Sequence, residues 1–383
     1  PLIYFDQVAK AMRLTGADNI SLRLEQAIAG VLTNQGSEGG FGLWSAGSGD
    51  FWLDAYVTDF LSRARARGYR VPDLAFRNAL DNLRNQVNYS ADFDKGGEAL
   101  AYALMVLARE GAAAIGDLRY YADVKADAFA TPIAQAQLGA ALASYGDQRR
   151  ADAMFARAGK RIAAQTAREG QLYRVDYGTN RRDAAAVLTL AVEAGSEVID
   201  RDAMTARLLS DGSTLSTQEA TWTLLAANAL IDGPRAEGIT LNGRAADGPL
   251  VRVLDAAKID PVAVVNTGTR AATLTLTTYG VPEVAEPAGG NGYAIARSYY
   301  TMEGVAVSLS DGVKAGTRLV TVLEVTPFGN AQARLMVSDP LPAGFEIDNP
   351  NLLRGGQVSA LDWVDPLNDV THSEFRQDRF LSA

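Results

Sequence analysis

Two kinds of segment alternate over the first 230 or so residues, one apolar on every side and the other apolar along a single stripe. Ala99-Leu100-Ala101-Tyr102-Ala103-Leu104-Met105-Val106-Leu107-Ala108 is of the first kind, as are Ala184-Ala185-Ala186-Val187-Leu188-Thr189-Leu190-Ala191 and the stretch after Ser216. A helix without a polar face is stable in water only when other helices surround it. The second kind is seen at Ala151, Met154, Phe155, Ala158 and Ile162, which fall at helical spacing with arginines between them. From Phe51 onward, Trp52, Tyr56 and Phe60 share one face at four-residue spacing.

Punctuation fixes where these helices start and stop. Two helices between Tyr4 and Val31 are separated by the turn Thr15-Gly16-Ala17-Asp18-Asn19. Gly68 ends a helix running from Phe51 to about Arg67, and Pro72 suits the first turn of the next. Thr131-Pro132 supplies an N-cap followed by a first-turn proline, and Ser216 with Glu219 has the spacing of a capping box. The apolar helices begin near Phe51, Gly97, Thr131, Arg182 and Ser216, roughly 35 to 50 residues apart, as stacked helical hairpins require. Because they are more apolar than the helices between them, residues 1–232 are predicted to form a closed two-layer α/α toroid. An open solenoid would leave its long groove wet.

Near Asp232-Gly233-Pro234 the pattern changes from helical to alternating. Ten of the 13 prolines lie from Pro234 onward. Strands are predicted at Thr273–Thr277, Leu319–Leu323 and Ala333–Val337, so the fold class is multidomain, a toroid followed by β-sandwich-type domains. The run Val281–Gly292, rich in proline and glycine, divides the β region into segments 233–288 and 289–383. A strand-poor stretch around Asp365–Asn368 makes the second unit look incomplete.

At 383 residues the chain has room for two or three domains and a large core. A net charge of −9 and a pI near 4.9 argue against nucleic acid or an anionic membrane surface as partner. The run Arg63-Ala64-Arg65-Ala66-Arg67 is read as a solvated helix end whose cations complement the helix dipole. With no cysteine, thiolate nucleophiles, thiolate metal sites and disulfides within this chain are excluded. No apolar run reaches the roughly 20 residues needed to cross a bilayer, and the start at Pro1 marks an expected piece of a longer protein.

The wording of three stretches adds a resemblance. Gly39-Gly40-Phe41-Gly42-Leu43-Trp44 followed by Trp52-Leu53-Asp54-Ala55-Tyr56-Val57 resembles the thioester-domain toroid of the bacterial α2-macroglobulin family. Ser216-Thr217-Gln218 is similar to the start of that domain's last inner helix, and Leu341-Pro342-Ala343-Gly344-Phe345 to a segment of the family's C-terminal macroglobulin-like domain. The resemblance implies a thioester-domain-like toroid at 1–232, a CUB-like β segment at 233–288 completed by strands from before Pro1, and a macroglobulin-like domain at 289–383. It further implies a periplasmic or cell-envelope protease inhibitor that traps endopeptidases, with membrane anchoring through sequence before Pro1 as one arrangement. The upstream domains of the same chain are implied partners, with a cell-wall synthesis penicillin-binding protein as a further one. In the family a Cys-x-Glu-Gln thioester acylates the attacker. Arg23-Leu24-Glu25-Gln26 has arginine where the thiol is required and reads as ordinary helix. The family's motif would fall about a dozen residues before Pro1.

No catalytic, cofactor-binding or metal-ligating residue is assigned, and no cofactor is called for. His372, the one histidine, reads as a surface or edge-strand residue, which leaves no histidine in the toroid to attack a thioester. A zinc site of the toroid-enzyme kind has no ligands, and Asp92-Phe93-Asp94-Lys95 only superficially resembles the Asp-rich acid of terpene cyclases. A glycosidase or lyase needs two opposed carboxylates in a cleft, for which Asp54, Asp59, Asp92, Asp94 and Glu98 are candidates, although solvated or capping roles suit them better. Trp44, Trp52 and Trp222 could line a groove but are expected to pack between helices. Two alternatives stay open: a toroid enzyme acting on polysaccharide, and a structural or adhesive envelope module.

Overall fold

The computed structural model describes residues 1–11, 19–47, 49–165, 174–209, 215–230, 238–245, 261–269, 292–329, 335–348 and 370–383, with isolated positions between 271 and 290. Several sequence expectations lie outside the described residues: most of the turn at 15–19, the change of pattern at 232–234, much of 273–277 and 281–292, and the stretch 365–368. The chain divides into two compact units, Pro1–Thr277 and Thr278–Ala383.

The first unit is an α/α toroid. Its inner helices are α3 (Phe51–Ala66), α5 (Glu98–Arg109), α7 (Pro132–Ser144), α9 (Asn180–Glu193) and α11 (Thr217–Ala229). Each packs on the next in that order. The outer layer holds α4 (Asp73–Asn88), α6 (Ile115–Asp123), α8 (Gln148–Ala164) and α10 (Arg201–Leu209). Of the first two helices, α1 (Leu2–Ala11) packs against α11 and α2 (Ile20–Thr33). Tyr4 of α1 also meets α3 through Arg63 and Arg67, so α1 closes the ring between α11 and α3.

Of the inner helices, α5, α7 and α9 are buried on nearly every side, as their composition demands, whereas α11, expected to be apolar all round, buries only Thr221, Trp222, Leu225 and Ala226. Every residue of α5 from Leu100 to Ala108 is buried, and α9 is buried from Arg182 to Ala191. Alanine and glycine let these helices approach closely. Gly139 of α7 leaves the space into which the Phe155 ring of α8 fits. On α8 the buried set is the single predicted stripe of Ala151, Met154, Phe155, Ala158 and Ile162. The caps form as read: Thr131 Oγ1 accepts from the Ala134 N–H ahead of Pro132, and Ser216 and Glu219 form the reciprocal capping box. Pro72 is the N-cap of α4, one position earlier than the first-turn place predicted. On α9 the cap is Thr179 and the helix starts at Asn180, two residues before the start near Arg182 expected from its apolar run.

The glycine-rich turn before α3 works through close contact. Gly39 has φ +90, and a Cβ there would collide with the Asn78 carbonyl of α4. The turn is then fastened by Phe41, which is buried and donates its N–H to Asp54 Oδ1 at 2.6 Å. After α11 come β1 (Ile239–Leu241), β2 (Arg244–Ala245) and β3 (Val264–Asn266), forming an antiparallel sheet in the order β2-β1-β3. Leu274 and Leu276 lie outside any strand, unlike the strand predicted at Thr273–Thr277.

The second unit holds two three-stranded sheets. In one, β4 (Tyr293–Thr301) pairs along its whole length with β6 (Leu319–Pro327), and β5 (Ala306–Val307) adds a short edge. In the other, β9 (Arg379–Ser382) lies between β7 (Val337–Pro340) and β8 (Ser373–Phe375). Of the strand predicted at Ala333–Val337, only Val337 begins a strand among the described residues. Arg297 of β4 pairs with the buried Asp339 of β7, and the turn after β7 brings Phe345 to 6.2 Å from Tyr299, joining the two sheets.

Candidate functional site

The inner helices begin at one end of the ring. The Gly96 N–H donates to the Ala128 carbonyl and the Ala130 N–H to the Gly96 carbonyl, joining the starts of α5 and α7. Thr179, the cap of α9, donates to Glu219 of α11 at 2.6 Å, and Tyr177, just before α9, donates to Asp50, the cap of α3, at 2.5 Å. This end is the mouth of the ring, and its sequence-predicted residues are mostly structural.

Trp52 is buried, stacked on Tyr56 at 5.1 Å, tilted against Tyr177 at 5.1 Å and edge-on to Tyr102 at 5.7 Å. Trp222 is only 1% exposed. Both tryptophans are therefore core, as expected, whereas Trp44 is half-buried in the loop before α3. Asp54 is saturated: besides the Phe41 N–H it accepts from Asn82 Nδ2 at 3.0 Å and Gln86 Nε2 at 2.7 Å. A carboxylate with that many fixed donors clamps α3, α4 and the glycine turn together and is no base in waiting. The reading of Asp54 and Asp59 as solvated or capping groups is thus corrected, since both are buried. Asp92 and Asp94 are exposed, with Asp92 held by Lys125 at 3.0 Å.

Behind the mouth lies an ion cluster that the sequence reading missed. Arg182 and Asp183 are fully buried, and Arg182 donates to Asp183 Oδ1 at 2.9 Å and to Asp176 Oδ2 at 2.5 Å. Arg174 bridges the same two carboxylates at 2.6 and 3.0 Å. Burial raises the pKa of Asp183 despite both guanidiniums. For Asp176 burial acts in the same direction but is outweighed by Arg182 and Arg174, so its pKa is lowered. Glu98, half-buried at the start of α5, is pushed up by burial and by the nearby Asp176. The available signal was a charged pair, Arg182-Asp183, opening an otherwise apolar helix.

At the other end of the ring the supposed solvated arginines form a second cluster. Arg63 is 7% exposed and donates to Asp59 at 3.0 Å, to both oxygens of Glu193 at 3.0 and 3.1 Å, and to the Tyr4 hydroxyl at 3.1 Å. Asp59 also accepts from Tyr102 at 2.9 Å and from Arg109. Burial alone would raise the Asp59 pKa, but Arg63 and Arg109 beside it bring it down to about 2. Arg65 pairs with Asp73 and lies over the Phe76 ring, while Arg67 lies over Tyr4 and donates to Gln7. The correction has a helical cause: residues 59 and 63 are one turn apart on the buried face of α3, so Arg63 turns inward where Arg65 does not.

His372 is half-exposed beside β8, and its backbone pairs with Ala383 at the end of β9. Among the described residues no group of three or more His, Asp or Glu could hold a metal ion. Among them also, no helix is long and apolar enough to cross a membrane.

A closed ring of helices tied at both ends by buried ion clusters, followed along the chain by small antiparallel sheets, defines the class of fold. The family description "Bacterial Alpha-2-macroglobulin MG10 domain" matches residues 292–383. The alpha-2-macroglobulin of Escherichia coli (strain K12) is 31% identical over 93% of this chain and 23% of its own length. A crystal structure of Salmonella alpha-2-macroglobulin reacted with methylamine aligns with a TM-score of 0.78 and 29% identity, covering 100% of this chain and 26% of that one. The native conformation of E. coli alpha-2-macroglobulin aligns at 0.79 and 27% identity, covering 98% and 25%. The chain belongs to the bacterial alpha-2-macroglobulin family and corresponds to its C-terminal part. It spans about a quarter of the length of the curated relatives it matches.

Proposed function

We propose that this chain is the ring-bearing part of an inhibitor that traps attacking endopeptidases in the bacterial cell envelope, and that it is not itself an enzyme. The observation that carries the reading is the likeness of nearly the whole chain, ring and sheets together, to native and methylamine-reacted alpha-2-macroglobulin. Structures of the E. coli relative activated by porcine elastase and by trypsin support endopeptidases as the targets. The saturated carboxylates speak in the same direction. Asp54 and Asp59 have their oxygens committed to fixed donors, which suits a rigid support better than a hydrolytic pair.

In this reading residues 1–232 are the thioester-domain-like toroid, 233–288 a CUB-like segment and 289–383 a macroglobulin-like domain. Trapping is covalent where a Cys-x-Glu-Gln thioester precedes the ring. The chain itself has no cysteine to hold such an acyl group, so its part is to present and support that segment. The test uses radiolabelled methylamine followed by denaturation. The 383-residue chain should retain no label, while the same chain extended upstream through a Cys-x-Glu-Gln motif should retain it and form an SDS-stable adduct with elastase. Failure of the extended protein to slow elastase on large substrates would overturn the trap.

A further inference from the structure

The hairpin between β1 and β2 turns on two residues, Asn242 and Gly243, since Leu241 is paired with Arg244. Both have positive φ, +49 and +77, the backbone that a type I′ hairpin loop requires and that asparagine and glycine tolerate best. Both are exposed. An asparagine followed by glycine has a chemistry of its own. The glycine nitrogen, losing its proton, attacks the side-chain carbonyl carbon of the asparagine, the side-chain nitrogen leaves as ammonia, and a five-membered succinimide forms. Water then opens the ring to aspartate or isoaspartate. Glycine favours the attack because no Cβ shields its nitrogen, and the surroundings of Gly243 are open, since a Cβ built there would have no neighbour within 4 Å.

The closed hairpin stands against that attack in two ways. Ring closure requires the Gly243 nitrogen to swing to the side of Asn242 that carries Cβ, whereas a left-handed residue, with ψ about +47°, turns it to the far side. The side chain is held as well. Asn242 Oδ1 accepts from the Ala263 N–H at 2.8 Å, and the Asn242 N–H donates to the Ala263 carbonyl at 2.8 Å. Ala263 leads directly into β3, which pairs with β1 through Val264 and Leu241. Attack therefore requires Asn242 to leave both its backbone conformation and its bond to Ala263. The two products differ in what they let the hairpin do next. Aspartate keeps the backbone and an oxygen for the Ala263 N–H. Isoaspartate carries the chain through the former side chain, one methylene longer, which a two-residue loop does not accommodate.

We propose that Asn242 is a fold-gated deamidation site, protected while the hairpin is closed and converted when it opens, after which the isoaspartate form does not close again. The site is independent of whether the ring belongs to a protease trap.

Trypsin releases Asn242 in the peptide Ala236–Arg244, where deamidation shows as a mass gain and isoaspartate elutes apart from aspartate. At mildly alkaline pH the folded 383-residue chain is expected to convert at least about tenfold more slowly than the same chain in denaturing urea, because the reaction waits for an opening. Ala263→Pro, which removes the donor and leaves the carbonyl, should convert severalfold faster than wild type in buffer and at the wild-type rate in urea. After conversion in urea and refolding, amide exchange in β1 should be faster in peptides that carry isoaspartate, while Asn242→Asp should exchange there as the unmodified chain does. Equal conversion of wild type in buffer and in urea would overturn the proposal, whether or not Ala263→Pro folds. So would an unchanged rate in buffer for a folded Ala263→Pro chain, or β1 amides as well protected with isoaspartate as without it.

Discussion

Where the inner helices end, one buried carboxylate, Asp59, faces two guanidiniums, Arg63 and Arg109; where they begin, two carboxylates, Asp176 and Asp183, share two guanidiniums, Arg174 and Arg182. Water reaches the first cluster, since the side chains of Glu193 and Arg109 are 35% and 27% exposed. It hardly reaches the second, where the exposures run from 13% down to zero. The same residue types therefore titrate differently. In the wetter cluster the guanidiniums outweigh burial and Asp59 stays ionised to about pH 2. In the drier one the two acids part: Arg182 and Arg174 outweigh burial and lower Asp176, whereas burial prevails and raises Asp183. In buried ion pairs desolvation offsets most of the attraction, whereas removing one partner leaves an uncompensated charge and is costly.

The comparison breaks most sharply if one member of the dry cluster is removed. Arg182→Ala leaves Asp176 and Asp183 facing each other with only Arg174, and should cost about 3 to 5 kcal/mol by urea denaturation. Arg109→Ala, at the wetter end, leaves Asp59 still paired with Arg63 and should cost about 1 to 2 kcal/mol once solvent screening is allowed for. Equal losses would mean that dryness does not separate the two ends. Trp52→Ala tests the apolar side of the mouth. Its ring fills the space among Tyr56, Tyr102 and Tyr177, so the loss should be about 3 to 5 kcal/mol, and a loss below about 1 kcal/mol would place Trp52 on the surface.

How much of this was legible in the sequence follows from what each signal encodes. Helices without a polar face, such as 99–108, can be satisfied only inside a ring, and Thr131-Pro132 and Ser216 with Glu219 mark helix starts through local hydrogen bonds alone. These were read correctly because the information is local. The ion clusters were not, because a charge run looks the same whether it meets water or a partner 130 positions away, as Arg63 meets Glu193. Ring closure by α1 escaped for the same reason, since Tyr4 is fixed by Arg63 rather than by any nearby residue. The left-handed backbone of Tyr177, with φ +53, had no signal at all: no composition rule places a tyrosine at positive φ.

The acid limb of stability separates the two clusters next. The folded pKa of Asp59 lies below its ordinary 3.8, so its contribution is fully present above about pH 4 and is lost as the pH falls through about 2. That fall in pKa corresponds to about 2.5 kcal/mol. Asp183 acts in the opposite sense, because a raised carboxyl pKa means that acidification through it favours the folded state. Asp59→Asn should therefore flatten the decline in urea midpoint between pH 5 and pH 3, and Asp183→Asn should steepen it. If Asp59→Asn left the decline unchanged, the acid sensitivity would belong elsewhere.

The smallest expected effect is at the start of α11, where the ring meets its closing helix. Ser216 Oγ accepts from the Glu219 N–H at 3.3 Å, and Glu219 Oε2 accepts from the Ser216 N–H at 2.8 Å. Glu219 has a second duty, since its other oxygen accepts from Thr179, the cap of α9. Ser216→Ala removes only the serine half and should cost about 1 kcal/mol, the usual worth of an N-cap. Glu219→Ala removes the reciprocal bond and the tie between α9 and α11 together, so it should cost more than Ser216→Ala although the carboxylate is on the rim. A double-mutant cycle with Thr179→Val isolates that tie. A coupling indistinguishable from zero would show that the starts of α9 and α11 are held by their buried faces alone.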